Sequence, residues 1–600
     1  MIKFKIVRNI GFIGLILIST FSCKQEDFLE TVNKSNLEDA TMWATEDNAD
    51  IFLNSCYADL VQKGNQSDNL DNFTTDNDQE FYYTSFNWHK GICIASSNDY
   101  SIWGQQTGPA NDANWPGTYT KIRKINTFIQ EVNKNAKFFS KDWIAKRIDE
   151  AKYLRAYFYS ELFMRIGGLS IITEPQDRAT MTEDQLYVPR SSFEDTFNFI
   201  IKDLDDVINA GNLEVKYNHG DADAGRATLG AALALKGWLQ VFAASPAYNS
   251  ADPAVQRSSD NLQSFATPDP ARWATAAATN KQFIDTYGHK GSGIYNLFPK
   301  MAEFWWEANE YNSEVIWDRQ QVGIIIPNTY DQYGGPVWIH GTYYSWGNYC
   351  PTQEMVDQYQ MANGKDISDP TSGYNDQNPY VGREKRFYDF IVYDGAPYKQ
   401  DWMSTTDTIY TRIDLVHPSL NQIDFGSDDV GNTGYYYKKK LDNLYDPGIM
   451  SGQNYVYYRY AEVLLNYAEA QNEAAGPDAS VYEAINAIRQ RPGTDLPLLP
   501  AGLTKDQMRT AIHHERRVEL VYEDKRLYDI WRWKDAMTDL NSDLHCMVIR
   551  NSVPTNDSGV WVYTITSLHR SHIFTQNMYF NPIPQAAIDQ NSKLKQNWGY

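Results

Sequence analysis

The chain has 600 residues, with 54 Lys and Arg against 76 Asp and Glu, a formal charge of −22 at neutral pH. So acidic a chain is repelled by nucleic acid and by anionic lipid, which argues against either as a direct partner. Its five cysteines are widely spaced with no C-x-x-C, so neither a disulfide framework nor a zinc site is implied, while 41 tyrosines and 14% aromatics leave ample capacity for flat contact surfaces.

In chain order, Met1 to Asn9 carries Lys3, Lys5 and Arg8 with no acid, and a short apolar run, Ile10 to Ile18, follows. These are the basic and hydrophobic regions of a secretory signal, too short to remain as a membrane span, which needs ~20 residues. Ser22 then precedes Cys23, and Ser19-Thr20-Phe21-Ser22-Cys23 resembles the lipobox of bacterial lipoproteins. The expectation is a signal peptide over 1–22 and lipidation at Cys23, with Lys24-Gln25-Glu26-Asp27 similar to an acidic surface-export tag. More than one acyl chain makes such anchoring stable, at roughly 0.8 kcal/mol per buried CH₂. Without the signal the chain keeps 51 Lys and Arg against 76 acids, or −25.

The mature sequence reads as helices separated by long irregular stretches. Trp143 to Ile166 puts Ile144, Ile148, Ala151, Leu154 and Phe158 on one side and stops at Gly167-Gly168. Ser191 and Glu194 have capping-box spacing before a helix with Phe193, Phe197, Ile200, Leu204 and Val207 on one face. An Ala/Leu-rich helix follows over Thr228 to Ala243, another over Tyr457 to Ala475, and Thr504 with Gln507 caps a long one through Arg516, Glu519 and Glu523. Short strands are expected at Glu314 to Trp317 and Val560 to Ile565. The fold class is mainly α, a scaffold of tetratricopeptide-like helix pairs with long loops and a few short strands. Along Glu515 to Arg532, opposite charges stand three or four apart, and so many arginines imply docking against carboxylates of other elements.

Enzyme signatures fail. His514-Glu515-Arg516-Arg517-Val518 begins like H-E-x-x-H, but Val518 stands where the second metal ligand is required. Asp221-Ala222-Asp223-Ala224-Gly225 has the spacing of part of a calcium loop without its remaining ligands. No nucleophile elbow, phosphate loop or dinucleotide fingerprint occurs, so no catalytic residue, metal or cofactor is assigned. Carboxylate pairs for glycoside hydrolysis have no sequence motif, because their separation is a three-dimensional property.

Two aromatic clusters lie in polar or Gly-rich loops. Phe81, Tyr82, Tyr83, Phe86, Trp88, Tyr100 and Trp103 form one; Tyr330, Tyr333, Trp338, Tyr343, Tyr344, Trp346 and Tyr349 form the other. A flat indole or phenol can desolvate the C–H face of a pyranose while nearby amides and carboxylates bond its hydroxyls. Any one ring taken alone is read more cheaply as loop packing. As clusters they mark Trp88, Trp103, Trp338, Tyr343 and Trp346 as candidate ligand-binding residues, presented rather than buried.

Ordered motifs then span the mature chain: Tyr153-Leu154-Arg155-Ala156-Tyr157-Phe158-Tyr159 with Gly167-Gly168, Gly225-Arg226-Ala227-Thr228, Pro351-Thr352-Gln353-Glu354-Met355-Val356-Asp357, Arg459-Tyr460-Ala461-Glu462-Val463-Leu464-Leu465, Glu515-Arg516-Arg517-Val518-Glu519-Leu520 with Arg532-Trp533, and the ending Gln596-Asn597-Trp598-Gly599-Tyr600. Together they resemble the SusD/RagB family, with Trp598 and Ala587 departing from its usual ending. The resemblance implies one module over 23–600, with an N-terminal part to 235 and a C-terminal part over 236–600. It also implies a lipid-anchored, cell-surface outer-membrane protein that captures glycan without turnover and hands it to a SusC-like TonB-dependent transporter. Peptide capture, as in RagB-like members, is the alternative, and a surface glycosidase the remaining one.

Overall fold

The computed structural model describes residues 39–60, 70–78, 88–89, 91, 93–95, 115–250, 260–323, 325, 328, 330–426, 430–444 and 451–600. The signal region and Cys23 lie outside them. The helical scaffold comprises α1 (Glu46–Ala58), α2 (Trp115–Lys134), α3 (Lys141–Ile166), α4 (Phe193–Ala210), α5 (Leu229–Ala244), α6 (Ala271–Thr286), α7 (Tyr460–Ala475), α8 (Ala479–Arg489), α9 (Lys505–Glu519) and α10 (Arg526–Arg532). The principal strands are β1 (Val315–Arg319), β2 (Trp338–Ile339), β3 (Thr342–Tyr343), β4 (Ala396–Tyr398), β5 (Asp407–Ile409), β6 (Tyr455–Arg459), β7 (Asp543–Asn551) and β8 (Trp561–Ser571). They form the antiparallel pairs β1–β6, β2–β3, β4–β5 and β7–β8. From α2 to α8 each helix packs on the next in chain order, and α9 returns onto α7. This is the mainly helical, stacked-pair architecture expected from the sequence.

Local chemistry explains the boundaries. Ser140 caps α3 by accepting from the Trp143 amide, and Gly167 closes it with φ +90°, where a Cβ would stand 2.3 Å from Leu262 O. Thr228 caps α5, and Thr504 with Gln507 forms a capping box on α9. The cap of α4 falls one residue later than expected: Ser191 gives its amide to Leu169 O, and Ser192 takes the capping role with Asp195. The helix expected from Tyr457 begins at Tyr460 because its first residues pair as β6 with β1, a pairing suited to their aromatic, β-favouring side chains. Helix α9 stops at Glu519, and the chain passes through left-handed conformations at Tyr522 and Asp524, with φ of +62° and +61°. That turn carries Glu523 to Arg459 and Lys439. Strand β7 was not read from the sequence.

Most tyrosines serve the core. Trp317 stacks on Tyr457 at 4.6 Å and takes the edges of Tyr153 and Tyr157 at 4.9 and 5.2 Å. Cys56, Cys93, Cys350 and Cys546 are buried, and burial pushes the Cys56 thiol up to about 12 and the Cys93 thiol to about 11. No helix of the described residues is long and apolar enough to cross a membrane.

The arginines of the C-terminal motifs dock as the sequence implied, across elements more than along a helix. Glu519 meets Arg459 at 2.7 Å, Arg491 at 3.0 Å and Arg386 at 3.1 Å. Arg459 also reaches Glu314 at 2.6 Å and Glu523 at 2.7 Å, while Arg386 and Arg489 share Glu515. A second node joins Arg532 bidentately to Glu469 at 2.5 and 2.6 Å, and through Asp529 to Arg516. Burial by itself raises the Glu469 carboxyl, but the Arg532 guanidinium outweighs it and holds Glu469 at about 2.

A folded-state pKa below the unfolded value makes a contribution that is complete above the ordinary carboxylate range, ~4.5, and lost as pH falls through the folded value. Glu469→Gln is therefore expected to cost about 3 kcal/mol at neutral pH, the low end for breaking a buried pair, because Asp529 still faces the Arg532 guanidinium. It is also expected to flatten the fall of stability between pH ~4.5 and ~2. Denaturant unfolding across that window measures both.

Candidate functional site

The second aromatic cluster folds into a short hairpin and its surroundings. Trp338 pairs with Tyr343 and Ile339 with Thr342, leaving His340-Gly341 as a two-residue turn. Both turn residues have positive φ, +48° and +73°, the requirement of a type I′ turn, which Gly341 meets without strain. Alternation along the strands then sorts the rings. Trp338 and Tyr343 fall on one face as a cross-strand pair, rings 5.5 Å apart and nearly perpendicular, with Tyr343 47% exposed and Trp338 partly buried. Tyr344 points the other way into a small core with Val337, Ile339, Tyr398, Ile409 and Tyr436. Past it, Trp346 is 39% exposed and meets the edge of the partly buried Tyr333 at 5.9 Å. Tyr330 and Tyr349 are buried.

Of the five candidate rings, the structure pairs Trp338 with Tyr343 and leaves Trp346 exposed three residues further on, against Tyr333. Trp88 is corrected: its ring is 1% exposed, wedged edge-on between Phe73 at 5.3 Å and Phe574 at 5.8 Å. Its neighbour His89 stacks on His572 and accepts from the Ile573 amide, and a ring inside that core cannot stack on a ligand. Trp103, like Phe81, Tyr82, Tyr83, Phe86 and Tyr100, lies outside the described residues.

Several residues that support the face were missed. Asn421 holds both sides of the Trp338 peptide, accepting from its amide at 2.9 Å and donating to its carbonyl at 2.6 Å. Trp402, partly buried, stacks on Tyr344 at 5.6 Å. Its position in the polar run Lys399 to Thr406 was a signal of the kind used for the other rings; Gln400, Asp407 and Asn421 carried none. Burial raises the Tyr333 phenol above its ordinary value, so it stays a hydroxyl at neutral pH. The carboxylate that reaches the hairpin, Asp407, is engaged by the His340 amide. Planar rings beside peptide, amide and hydroxyl groups can hold a polar ligand that has apolar faces.

The weaker motifs resolve as structure. Asp223 of the calcium-like segment is ion-paired with Lys146, Arg147 and Arg226, and the described residues hold no group of three or more His, Cys, Asp or Glu arranged for a metal. In the His514-Glu515 stretch, Glu515 is taken by Arg386 and Arg489, His514 lies 2.7 Å from Gln358 O, and Val518 is buried.

Residues 309–600 match the family model described as the SusD family, and residues 27–235 match one described as starch-binding associating with outer membrane. The SusD-like protein P38 of Formosa agariphila is 22% identical over 549 residues, 88% of this chain and 92% of its own. A crystal structure of a SusD-like protein from Bacteroides fragilis superposes with TM-score 0.73 at 25% identity, covering 94% of this chain and 99% of that one. A SusD-like carbohydrate binding protein from the same organism superposes with TM-score 0.70 at 19% identity, over 92% and 100%. Two models of one family in tandem, and likeness of fold over nearly the whole length, show that the chain belongs to the SusD/RagB family, whose members associate with the outer membrane.

Proposed function

We propose that the protein is a cell-surface lipoprotein, anchored through Cys23, that captures oligo- or polysaccharide on the face bearing Trp338, Tyr343 and Trp346. It passes the ligand uncut to a SusC-like TonB-dependent transporter in the outer membrane. The observation that carries the reading is the cross-strand pair of exposed Tyr343 and partly buried Trp338 on a turn-fixed hairpin, in a family with a starch-binding model. Exposed rings of this kind are costly in water unless a ligand covers them, and a pyranose supplies matching C–H faces. The carbohydrate-binding neighbour of the same fold supports this choice of ligand. Trp88 plays no part in the reading.

Alanine at Trp346 or Tyr343 is expected to weaken binding of a polysaccharide selected on a glycan array by about 1–3 kcal/mol without changing the melting temperature. Trp88→Ala is expected instead to cost about 3–5 kcal/mol of stability. Calorimetric titration with thermal melts separates the two; wild-type binding in both surface variants removes this placement of the site, and capture of peptides but no polysaccharide removes the glycan assignment. Cys23→Ser is expected to move the protein from the outer-membrane pellet to the soluble fraction, read by fractionation and acyl labelling. Mild-detergent pull-down of the wild type is expected to recover a large barrel protein in near-equal amount.

A further inference from the structure

The hairpin that carries Trp338 and Tyr343 has two residues in each strand, and an isolated two-stranded ladder is at best marginal in water even when longer. Beside Asn421 at the Trp338 peptide, a neighbouring hairpin braces it. At the tip, the His340 amide donates to Asp407 Oδ2 at 2.6 Å. The His340 ring places Nε2 3.1 Å from Thr405 O and Nδ1 3.7 Å from Asp407 Oδ1. At the base, the Tyr344 hydroxyl donates to Oε1 of the buried Gln400, which also accepts from Trp402 Nε1 at 2.8 Å. The Gln400 amide nitrogen donates to Asp442 O at 3.1 Å, which ties the same side chain to a third segment. Gln400 and Asp407 stand at the two ends of the connection between β4 and β5, and Asp407 is itself fixed by pairing with Tyr398. One loop thus grips the aromatic hairpin at both tip and base.

We propose that Gln400 and Asp407 are positioning residues that lock the Trp338–Tyr343 pair in its ligand-ready posture in the free protein; the functional part of this inference rests on the glycan-binding reading above. A hairpin this short, left to itself, would lose its order and recover it only on binding, at the expense of affinity. With its backbone and its inward tyrosine held from behind, the rings stand in place before a ligand arrives. Neither residue needs to touch the ligand to have this effect.

Native-state hydrogen exchange, read at single amides by electron-transfer fragmentation, tests the lock without any ligand. In Asp407→Ala the His340 amide loses its acceptor by construction, so the informative amides are those of Trp338 and Tyr344. Their exchange is expected to quicken about tenfold or more while amides of α5 and α7 keep wild-type rates. Asp407→Asn, which retains an acceptor oxygen, is expected to restore most of the protection, and Gln400→Leu to quicken Tyr344. Unchanged rates at Trp338 and Tyr344 in Asp407→Ala overturn the proposal, and that variant decides the matter if Gln400→Leu does not fold. Affinity gels cast with starch or laminarin form the second arm. About tenfold weaker retardation of Asp407→Ala, with Asp407→Asn near wild type, supports the role in binding. Wild-type retardation in a variant whose hairpin amides have lost protection overturns it. A wild-type chain that neither polysaccharide retards counts against the glycan reading alone, because the exchange arm still decides whether the lock exists.

Discussion

Glu519, at the last turn of α9, is buried and faces three guanidinium groups from separate parts of the chain: Arg386, Arg459 from β6 and Arg491 just past α8. An ionised carboxylate so deep is costly to desolvate, and its arginines hold it charged against that cost. Arg459 and Arg491 in turn share Glu314, which precedes β1, and Arg386 shares Glu515 one turn back on α9. Each partner in this network meets opposite charges from other segments, so strands, helix ends and loops distant in sequence are tied together. A well-packed apolar core could match its stability.

The aromatic content serves two ends that composition cannot separate. Tyr153, Tyr157, Trp317 and Tyr457 form a packed cluster between α3 and the β1–β6 pair, where edge-to-face contacts fill volume that aliphatic side chains would fill elsewhere. On the hairpin, alternation sends Ile339 and Tyr344 to the small core beneath and leaves Tyr343 outside, with Trp338 packed at the edge of that core and Trp346 exposed beyond the strands. In the proposed reading the binding face is a by-product of strand geometry. A type I′ turn fixes the register, the register fixes which rings face outward, and the β4–β5 loop keeps the hairpin where the scaffold presents it.

This division also places the chemistry. The carboxylates held furthest below their ordinary range, Glu469, Glu519 and Glu523, lie in the buried ion network, where burial raises them and pairing with arginine, and for Glu523 also with Lys439, outweighs it. They hold the fold. The hairpin face is supplied with rings, amides and peptide groups, a composition suited to holding a polar ligand with apolar faces.

The sequence by itself determined α3, α4, α5, α7 and α9, the Thr504–Gln507 cap, the Gly167 stop and the family, because helical periodicity, Thr with Gln at capping distance, and ordered motifs are local signals readable without a fold; α1, α2, α6, α8 and α10 carried no signal strong enough to be read. It also foretold that the arginines of Glu515 to Arg532 would meet carboxylates. Which ones they meet was decided by the tertiary structure: Arg516 finds Asp529 and Asn466 rather than Glu519, because the chain breaks at Leu520 and redirects the charges that follow. The same holds for the rings. Trp88 and Trp346 look alike in sequence, each an aromatic in a polar loop, yet one is wedged between Phe73 and Phe574 and the other is exposed. Gln400, Asp407 and Asn421 carry no signal at all, since a polar residue in a loop acquires its role only from what the fold sets opposite it. Burial and partnership are properties of pairs brought together from far apart in the chain, and for that physical reason no local pattern encodes them.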